Sequence, residues 1–263
     1  MIRQIDRRSE PVQKMVALGE STTWGFTVSR KELCWVSRLG AMLAEFQGSP
    51  VEVINQGIGS NVLTPLCPSY HLSARPSALE RLEGDVLAHR PDLLVLSYGL
   101  NDARGGTPAE VFRREYQKLI ECVQAVYNPL IVILNVYYMH EELYSDCPGW
   151  EQSSYDATEV FNQVIAQLAR ANDLILADAY AAEEGVDWII DQDHCHPNDL
   201  GHFLIANRVF EAIARNCSFV AHTMPRESLI GPFNRQFGNG PDRPSFVGKT
   251  QDIMVDRTKE VSS

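Results

Sequence analysis

The sequence predicts an α/β fold in which helices cover both faces of a mainly parallel β-sheet. Short apolar runs typical of buried strands alternate along the chain with longer segments in which apolar residues recur at helical spacing. This alternation requires crossover connections, which make the strands parallel and place helices on the two faces of the sheet. The 263 residues suffice for one large domain of this class with additional segments.

Five short apolar runs are predicted as strands. The third of them is apolar at almost every position, which is typical of a strand buried on both faces. In chain order, the five runs are Met15–Gly19, Val51–Asn55, Asp92–Ser97, Leu130–Val136 and Leu174–Ala177.

Five longer segments are predicted as helices. Ser77 precedes Glu80 by three positions, which predicts a capping box at the start of one helix. Thr107 is predicted as the N-cap of the next helix, with Pro108 at its first helical position. In chain order, the segments are Glu32–Phe46, Ser77–Ala88, Thr107–Val126, Tyr155–Ala171 and Pro197–Arg215.

The composition argues against two classes of protein. The net charge of −11 disfavours nucleic-acid binding, because contacts to phosphate need clustered lysine and arginine. The longest apolar runs are far too short to span a bilayer, and residues 1–14 lack the apolar stretch of a signal peptide. The six cysteines are scattered without a Cys-x-x-Cys pair, which predicts reduced thiols and a cytoplasmic protein.

Four polar segments occur where a site of this fold is expected. Ligands of parallel α/β sheets bind beyond the carboxyl ends of the strands. Three of the segments directly follow predicted strands, and the fourth precedes the last predicted helix. Each of the first three segments alone is typical of an ordinary turn, whereas the dense acids and bases of the fourth make a plain loop less favoured there. The segments are Gly19–Gly25, Asn55–Asn61, Gly99–Asp102 and Asp191–His202.

The fourth segment contains an acid and a base at a useful spacing. Asp193 lies three residues before His196, so its carboxylate can accept the Nδ1–H and leave Nε2 to take a proton. Asp191 and His194 form an overlapping pair, and spacing alone does not decide between the two. Pro197 favours the second pair, because proline suits the first position of the helix that follows.

A zinc site is the alternative chemistry of this segment. Its possible ligands are His194, Cys195, His196 and His202. No matching second cluster occurs elsewhere in the sequence, so we expect no functional metal. Cysteine catalysis through Cys195 is also disfavoured, because no separate base is indicated for it.

In order and spacing, the four segments resemble the sequence blocks of the SGNH/GDSL hydrolase superfamily. The Gly-Asp-Ser block is similar to Gly19-Glu20-Ser21, and the resemblance covers roughly residues 15–215. The other matching positions are Gly25 in the first block, Asn55, Gly57, Ile58, Gly59, Ser60 and Asn61 in the second, Gly99, Asn101 and Asp102 in the third, and Asp193, His196, Pro197, Asn198, Gly201 and His202 in the last.

The resemblance implies a serine hydrolase on a three-layer, flavodoxin-like α/β sandwich with a central parallel sheet of about five strands. Ser21 is implied as the nucleophile, His196 as its base and Asp193 as the residue that orients the histidine. The backbone N–H groups of Ser21 and Ser60 and the side-chain amide of Asn101 are implied as the oxyanion hole. This reaction requires no cofactor and no metal.

Two residues depart from the family pattern. Glu20 replaces the usual aspartate before the nucleophile, and its longer side chain affects the geometry of the supporting loop. Ser60 replaces the usual oxyanion glycine; it keeps the backbone N–H, but its backbone angles are less free than those of glycine. Both departures keep open a non-catalytic protein that binds a sugar or another ligand on the same fold.

The expected partner is a small-molecule ester. A short acyl group, such as acetyl on a carbohydrate, is the first choice, and a thioesterase or lysophospholipase is the alternative enzyme. The aromatic segment 137–154, with Tyr137, Tyr138, Tyr144 and Trp150, is consistent with a wall for a sugar ring and equally with core packing.

The domain is predicted to end near residue 215. Residues 216–263 are irregular, because prolines and glycines interrupt any periodicity. This extension is predicted to pack on the body or on a partner subunit, which would give a homo-oligomer. The aromatic residues that suggest packing are Phe219, Phe233, Phe237 and Phe246.

Overall fold

The computed structural model describes residues 5–140, 148–152 and 154–221. Its centre is a parallel sheet with the strand order β2-β1-β3-β4-β5, which confirms the predicted α/β class. The five strands are β1 (Lys14–Gly19), β2 (Glu52–Gly57), β3 (Leu93–Ser97), β4 (Leu130–Leu134) and β5 (Ile175–Ala177).

Helices form the two outer layers of the sandwich. In chain order they are α1 (Ser21–Trp24), α2 (Trp35–Gln47), α3 (Ala78–Leu82), α4 (Leu100–Arg104), α5 (Ala109–Val126), α6 (Tyr155–Ala171), α7 (Tyr180–Glu183) and α8 (Asp199–Ala214). Helix α2 packs against α8, whereas α3 and α6 pack against α5. The sheet lies between these two groups, as in a three-layer sandwich.

The core is built around the two central strands. Residues 15–18 of β1 and 93–96 of β3 have no exposed surface, because helices cover both of their faces. Trp35 from α2 and Phe112 and Tyr116 from α5 are also fully buried. Burial of these large rings against the sheet contributes much of the hydrophobic stabilisation.

The strand order determines where a ligand can bind. β1 lies between β2 and β3, and Gly19 at its end is paired with Gly57 on one side and Ser97 on the other. From β1 the chain crosses to β2 on one side and then returns to β3 on the other side of β1. The loops at these strand ends therefore diverge and open a crevice. The turns after β1, β2 and β3 all face this crevice.

The start of α3 agrees with the prediction from the sequence. Glu80 accepts a hydrogen bond from the backbone N–H of Ser77 at 2.9 Å, as the predicted capping box requires. The regular helix is shorter than the predicted Ser77–Ala88, because a π-helical turn at Glu83–Leu87 continues it.

The starts of two other helices differ from the predictions. Pro108, not Thr107, is the N-cap of α5, and the Thr107 hydroxyl hydrogen-bonds to Asp102 instead. Asn198, not Pro197, precedes α8, and its side-chain oxygen accepts the N–H groups of two residues in the first turn. An asparagine oxygen satisfies amides that would otherwise lack partners, which moves the helix start beyond the proline.

Two further observations concern cysteines and membranes. The described cysteines form no disulfide with one another; they are Cys34, Cys67, Cys122, Cys195 and Cys217. Within the described ranges, no helix is long and apolar enough to cross a membrane.

Only the beginning of the predicted C-terminal extension lies among the described residues. Ser218 donates its backbone N–H to the carbonyl of Arg8 at 3.0 Å, and the Phe219 side chain is buried. Residues 222–263, which include the other three phenylalanines, lie outside the described residues. The packing of the extension and its role in an oligomer therefore stay predictions.

Candidate active site

Ser21 begins α1, immediately beyond the buried end of β1. Its side chain is almost fully buried in the crevice. Gly57 permits the close approach of β2 to this turn, because a Cβ atom there would lie 2.0 Å from the backbone nitrogen of Trp24. Gly19 is equally confined: a Cβ atom would lie 2.8 Å from the carbonyl oxygen of Ser97. The two glycines thus allow the serine turn to pack tightly between its neighbouring strands.

His196 lies across the crevice from the serine, in the loop before α8. Its Nε2 atom is 2.7 Å from Ser21 Oγ, and its Nδ1 atom is 2.5 Å from Asp193 Oδ2. The ring therefore has one nitrogen on the serine and the other on the carboxylate. This geometry leaves Nε2 as the acceptor of the serine proton when Nδ1 carries the hydrogen.

Asp193 is held by its own loop as well as by the imidazole. Its Oδ1 atom accepts the backbone N–H groups of Cys195 at 3.0 Å and His196 at 2.9 Å. Partial burial alone would raise the pKa of this carboxyl, but the hydrogen bonds from His196 and Cys195 outweigh it and lower the pKa to about 2. The carboxylate is therefore ionised at neutral pH.

The overlapping pair Asp191 and His194 has a different place in the loop. His194 adopts a φ of +59° and donates its backbone N–H to the carbonyl of Asp191 at 3.0 Å. Its ring packs edge-on against His140, with 5.8 Å between the ring centroids. The structure thus brings His196, and not His194, to the serine.

Asn101 and Ser60 come from the turns beyond β3 and β2. Asn101 Nδ2 donates one hydrogen to the backbone carbonyl of Asn61 at 3.0 Å, which leaves its second N–H for a ligand. Ser60 has a φ of +54°, in the left-handed region where a non-glycine residue costs roughly 1 kcal/mol. The serine therefore keeps the backbone conformation that a glycine would adopt more easily.

Glu20 takes part in the same arrangement. Its buried Oε1 accepts the backbone N–H of Asn101 at 3.0 Å and of Gly99 at 3.4 Å. Burial, followed by the neighbouring Asp102, raises the pKa of Glu20 well above its ordinary value. Burial also raises the pKa of Asp102, to about 7. The longer side chain that distinguishes this chain from the family pattern thus links the nucleophile turn to the start of α4.

Two residues that the sequence analysis did not single out support the second turn. Tyr98 donates its hydroxyl to Asn61 Oδ1 at 2.6 Å. Arg81 reaches the Tyr98 hydroxyl at 2.6 Å, the carbonyl of Gln56 at 2.9 Å and that of Gly19 at 3.2 Å. The signal in the sequence is that Arg81 shares one face of its short helix with the apolar residues Ala78 and Leu82.

His202, one of the possible zinc ligands, uses both ring nitrogens in contacts within the protein. The nitrogens of His202 contact the backbone N–H of Trp35 and the carbonyl of Phe26, each at 3.3 Å. Across the described part of the chain, no group of three or more histidine, cysteine or acidic side chains is arranged to hold a metal ion.

The predicted aromatic segment lies mainly in the core. Tyr137, Tyr138 and Trp150 are each at most 8% exposed, whereas Tyr144 lies outside the described residues. These three rings therefore support packing more than a wall for a ligand. The exposed rings near the serine are Trp24 and Phe26 instead.

The chain matches a known protein family. Residues 17–204 match the model of the GDSL-like lipase/acylhydrolase family. No curated protein sequence matches.

Solved structures show the same fold at low sequence identity. A lipase/acylhydrolase from Enterococcus faecalis has 22% identity and a TM-score of 0.61 over 77% of this chain and 96% of that one. Axe2, an acetylxylan esterase from Geobacillus stearothermophilus, has 19% identity and a TM-score of 0.59 over 78% and 96%. A two-domain esterase active on acetylated mannans has 18% identity and a TM-score of 0.58 over 89% and 52%.

Proposed function

Because the chain belongs to the GDSL-like lipase/acylhydrolase family, we propose that it hydrolyses carboxylic esters through a Ser21–His196–Asp193 triad. The observation that carries the proposal is the continuous chain of hydrogen bonds from Ser21 Oγ through both imidazole nitrogens to the carboxylate of Asp193. A turn serine or a polar capping loop would not need this alignment of nucleophile, base and acid.

The reaction begins when His196 Nε2 takes the proton of Ser21 Oγ and the oxygen attacks the ester carbonyl. The resulting oxyanion is stabilised by the N–H groups of Ser21 and Ser60 and the free amide hydrogen of Asn101. Collapse of this intermediate breaks the bond to the alcohol oxygen, which receives the proton from Nε2. Water then attacks the acyl-serine with the same base, and the acid and free Ser21 are released.

Asp193 supports both steps without exchanging a proton. Its carboxylate keeps the hydrogen on Nδ1 and stabilises the imidazolium that forms in each transition state. The pKa of about 2 means that this charge persists throughout the neutral range.

The proposed substrate carries a short acyl group, with acetyl on a carbohydrate as the first choice. Two of the structures with this fold are described as an acetylxylan esterase and as an esterase active on acetylated mannans. Both are under 20% identical to this chain, so they serve only as support for this choice of substrate. A thioester, a lysophospholipid and non-catalytic ligand binding are the competing possibilities.

The cytoplasmic location also stays a prediction.

A panel of substrates tests the proposal. The purified full chain is assayed with p-nitrophenyl acetate, butyrate and palmitate, an acetylated xylo-oligosaccharide, acetyl-coenzyme A and lysophosphatidylcholine. We expect hydrolysis of the acetyl esters, loss of that activity in Ser21→Ala, and decreasing rates with longer acyl chains. Hydrolysis of only the thioester or only the lysophospholipid would replace the substrate class. Absence of all hydrolysis would favour the non-catalytic protein.

A further inference from the structure

Two large aromatic side chains lie exposed on the turn that follows the nucleophile. The Trp24 side chain is 57% exposed and that of Phe26 is 43% exposed. Their rings are inclined by only 23°, with 6.0 Å between centroids, so the two rings stack and form one exposed aromatic surface. Exposed apolar rings arranged in this way at the edge of a site are typical of a binding surface.

This surface directly borders the proposed base. The Phe26 ring meets the imidazole of His196 edge to face, with 4.7 Å between centroids. The backbone of Phe26 is fixed at both ends: its N–H donates to the carbonyl of Ser21 at 3.0 Å, and its own carbonyl contacts His202 Nε2 at 3.3 Å. The ring is therefore held beside the imidazole before any substrate binds.

The position of this surface determines which part of the ester it can contact. The protonated Nε2 of His196 must reach the leaving alcohol oxygen, so the alcohol part of the substrate lies beside the imidazole. The oxyanion donors, in contrast, surround the carbonyl oxygen. A ring that borders the imidazole is thus placed to contact the alcohol part and not the carbonyl oxygen.

Polar residues follow the two rings along the chain and hydrogen-bond to Pro197 and to Asp199 at the start of α8. Thr27 donates its hydroxyl to the carbonyl of Pro197 at 2.8 Å, and Ser29 donates its backbone N–H and hydroxyl to Asp199 at 2.9 and 2.5 Å. A pyranose has an apolar C–H face and hydroxyl groups around its rim. The exposed ring faces match the first feature, and the oxygens of Thr27, Ser29 and Asp199 can accept hydrogen bonds from the second, whereas a long acyl chain requires an enclosed apolar channel.

We propose that Trp24 and Phe26 bind the alcohol part of the substrate and that this part is a pyranose ring. The inference rests on the proposed ester hydrolysis and adds the surface that selects the alcohol. The proposal assigns no chemical step to either ring.

Substrates that share an acetyl group but differ in the alcohol test this inference. The measured quantity is the ratio of kcat/KM for an acetylated methyl xylopyranoside to kcat/KM for ethyl acetate, which has no ring. Trp24→Ala is expected to lower this ratio about tenfold, mainly through a higher KM for the sugar ester, because uniform binding is lost. Trp24→Phe keeps an aromatic face and is expected to retain most of the ratio.

A matched control comes from another exposed ring, outside the proposed surface. Phe46 is 49% exposed and packs on Phe210 with 4.9 Å between centroids, at the far end of α2. Phe46→Ala is expected to leave the ratio unchanged. An unchanged ratio in Trp24→Ala, or an equal fall in Phe46→Ala, would overturn the inference.

Binding without chemistry separates this inference from the proposed function. Titration calorimetry of the acetylated xylopyranoside is done with Ser21→Ala and with the double variant Ser21→Ala/Trp24→Ala. Binding that is about tenfold weaker in the double variant supports the surface even if the wild type hydrolyses nothing. Equal binding in the two proteins contradicts the surface whatever the esterase assays show.

Discussion

Asp193 and His196 are joined at two points, because one carboxylate oxygen accepts the imidazole N–H and the other accepts the backbone N–H of the same histidine. His196→Ala is therefore expected to abolish ester hydrolysis. Asp193→Asn is expected to lower kcat on the order of a thousandfold or more, because the amide favours the wrong tautomer. Rates on p-nitrophenyl acetate provide the measurement.

The overlapping pair supplies the matched controls for this prediction. His194→Ala and Asp191→Asn are expected to keep most of the activity, because the ring of His194 packs on His140. Essential roles for Asp191 and His194, with dispensable Asp193 and His196, would reverse the assignment.

Tyr98 provides a second prediction at the scale of single residues. Tyr98→Phe removes the hydroxyl that fixes Asn61, whose carbonyl in turn holds the amide of Asn101. We expect kcat to fall roughly three- to tenfold with little change in KM, the effect of one net hydrogen bond. Tyr127→Phe is the control, since Tyr127 lies at the end of α5, away from the crevice.

A double-mutant cycle distinguishes positioning from general destabilisation. If Tyr98 acts through Asn61 on Asn101, then Tyr98→Phe has almost no further effect on kcat in an Asn101→Ala background. An equal fall in both backgrounds would show that Tyr98 does not act through the oxyanion donor.

At the scale of elements, His202 connects α8 to the start of α2 and to the turn after α1. It accepts the N–H of Trp35 and donates to the carbonyl of Phe26, which only a neutral imidazole does. Burial lowers its pKa from 6.5 to about 4. The unfolded chain therefore binds the proton more readily than the folded one between these values.

The sign of this difference predicts acid sensitivity. The contribution of His202 is fully present above pH 6.5 and is lost progressively as the pH falls to about 4, by on the order of 3 kcal/mol. Urea unfolding at several pH values measures the free energy of unfolding. His202→Gln is expected to make this free energy less dependent on pH. His71→Gln, which changes an exposed histidine, is expected to leave the pH dependence as in the wild type. Equal slopes in wild type and His202→Gln would contradict this origin.

The sequence predicts long elements better than short ones. The long helices and all five strands were predicted, because their periodicity extends over enough residues to be recognised. Helices α1, α4 and α7 have only four or five residues and carry no such period. The starts of α5 and α8 were wrong by one or two residues, because local hydrogen bonds at Thr107 and Asn198 decide them.

At the scale of the whole molecule, the parallel sheet explains why the distant sequence segments meet. The pairing of β1 with both β2 and β3 places three of the four segments at one crevice. Contacts between elements were not readable from the sequence. The bond from Glu20 to the start of α4, the Arg81–Tyr98 support and the ring of Phe26 on His196 all depend on the folded arrangement.

The central claim is that Ser21 is a nucleophile activated by His196. Reaction of the full chain with a fluorophosphonate, followed by mass spectrometry of the intact protein and its peptides, tests it most directly. We predict one adduct, located on Ser21, absent from Ser21→Ala and formed far more slowly in His196→Ala. Absence of an adduct on the folded wild type, or undiminished labelling of Ser21→Ala, would contradict the claim.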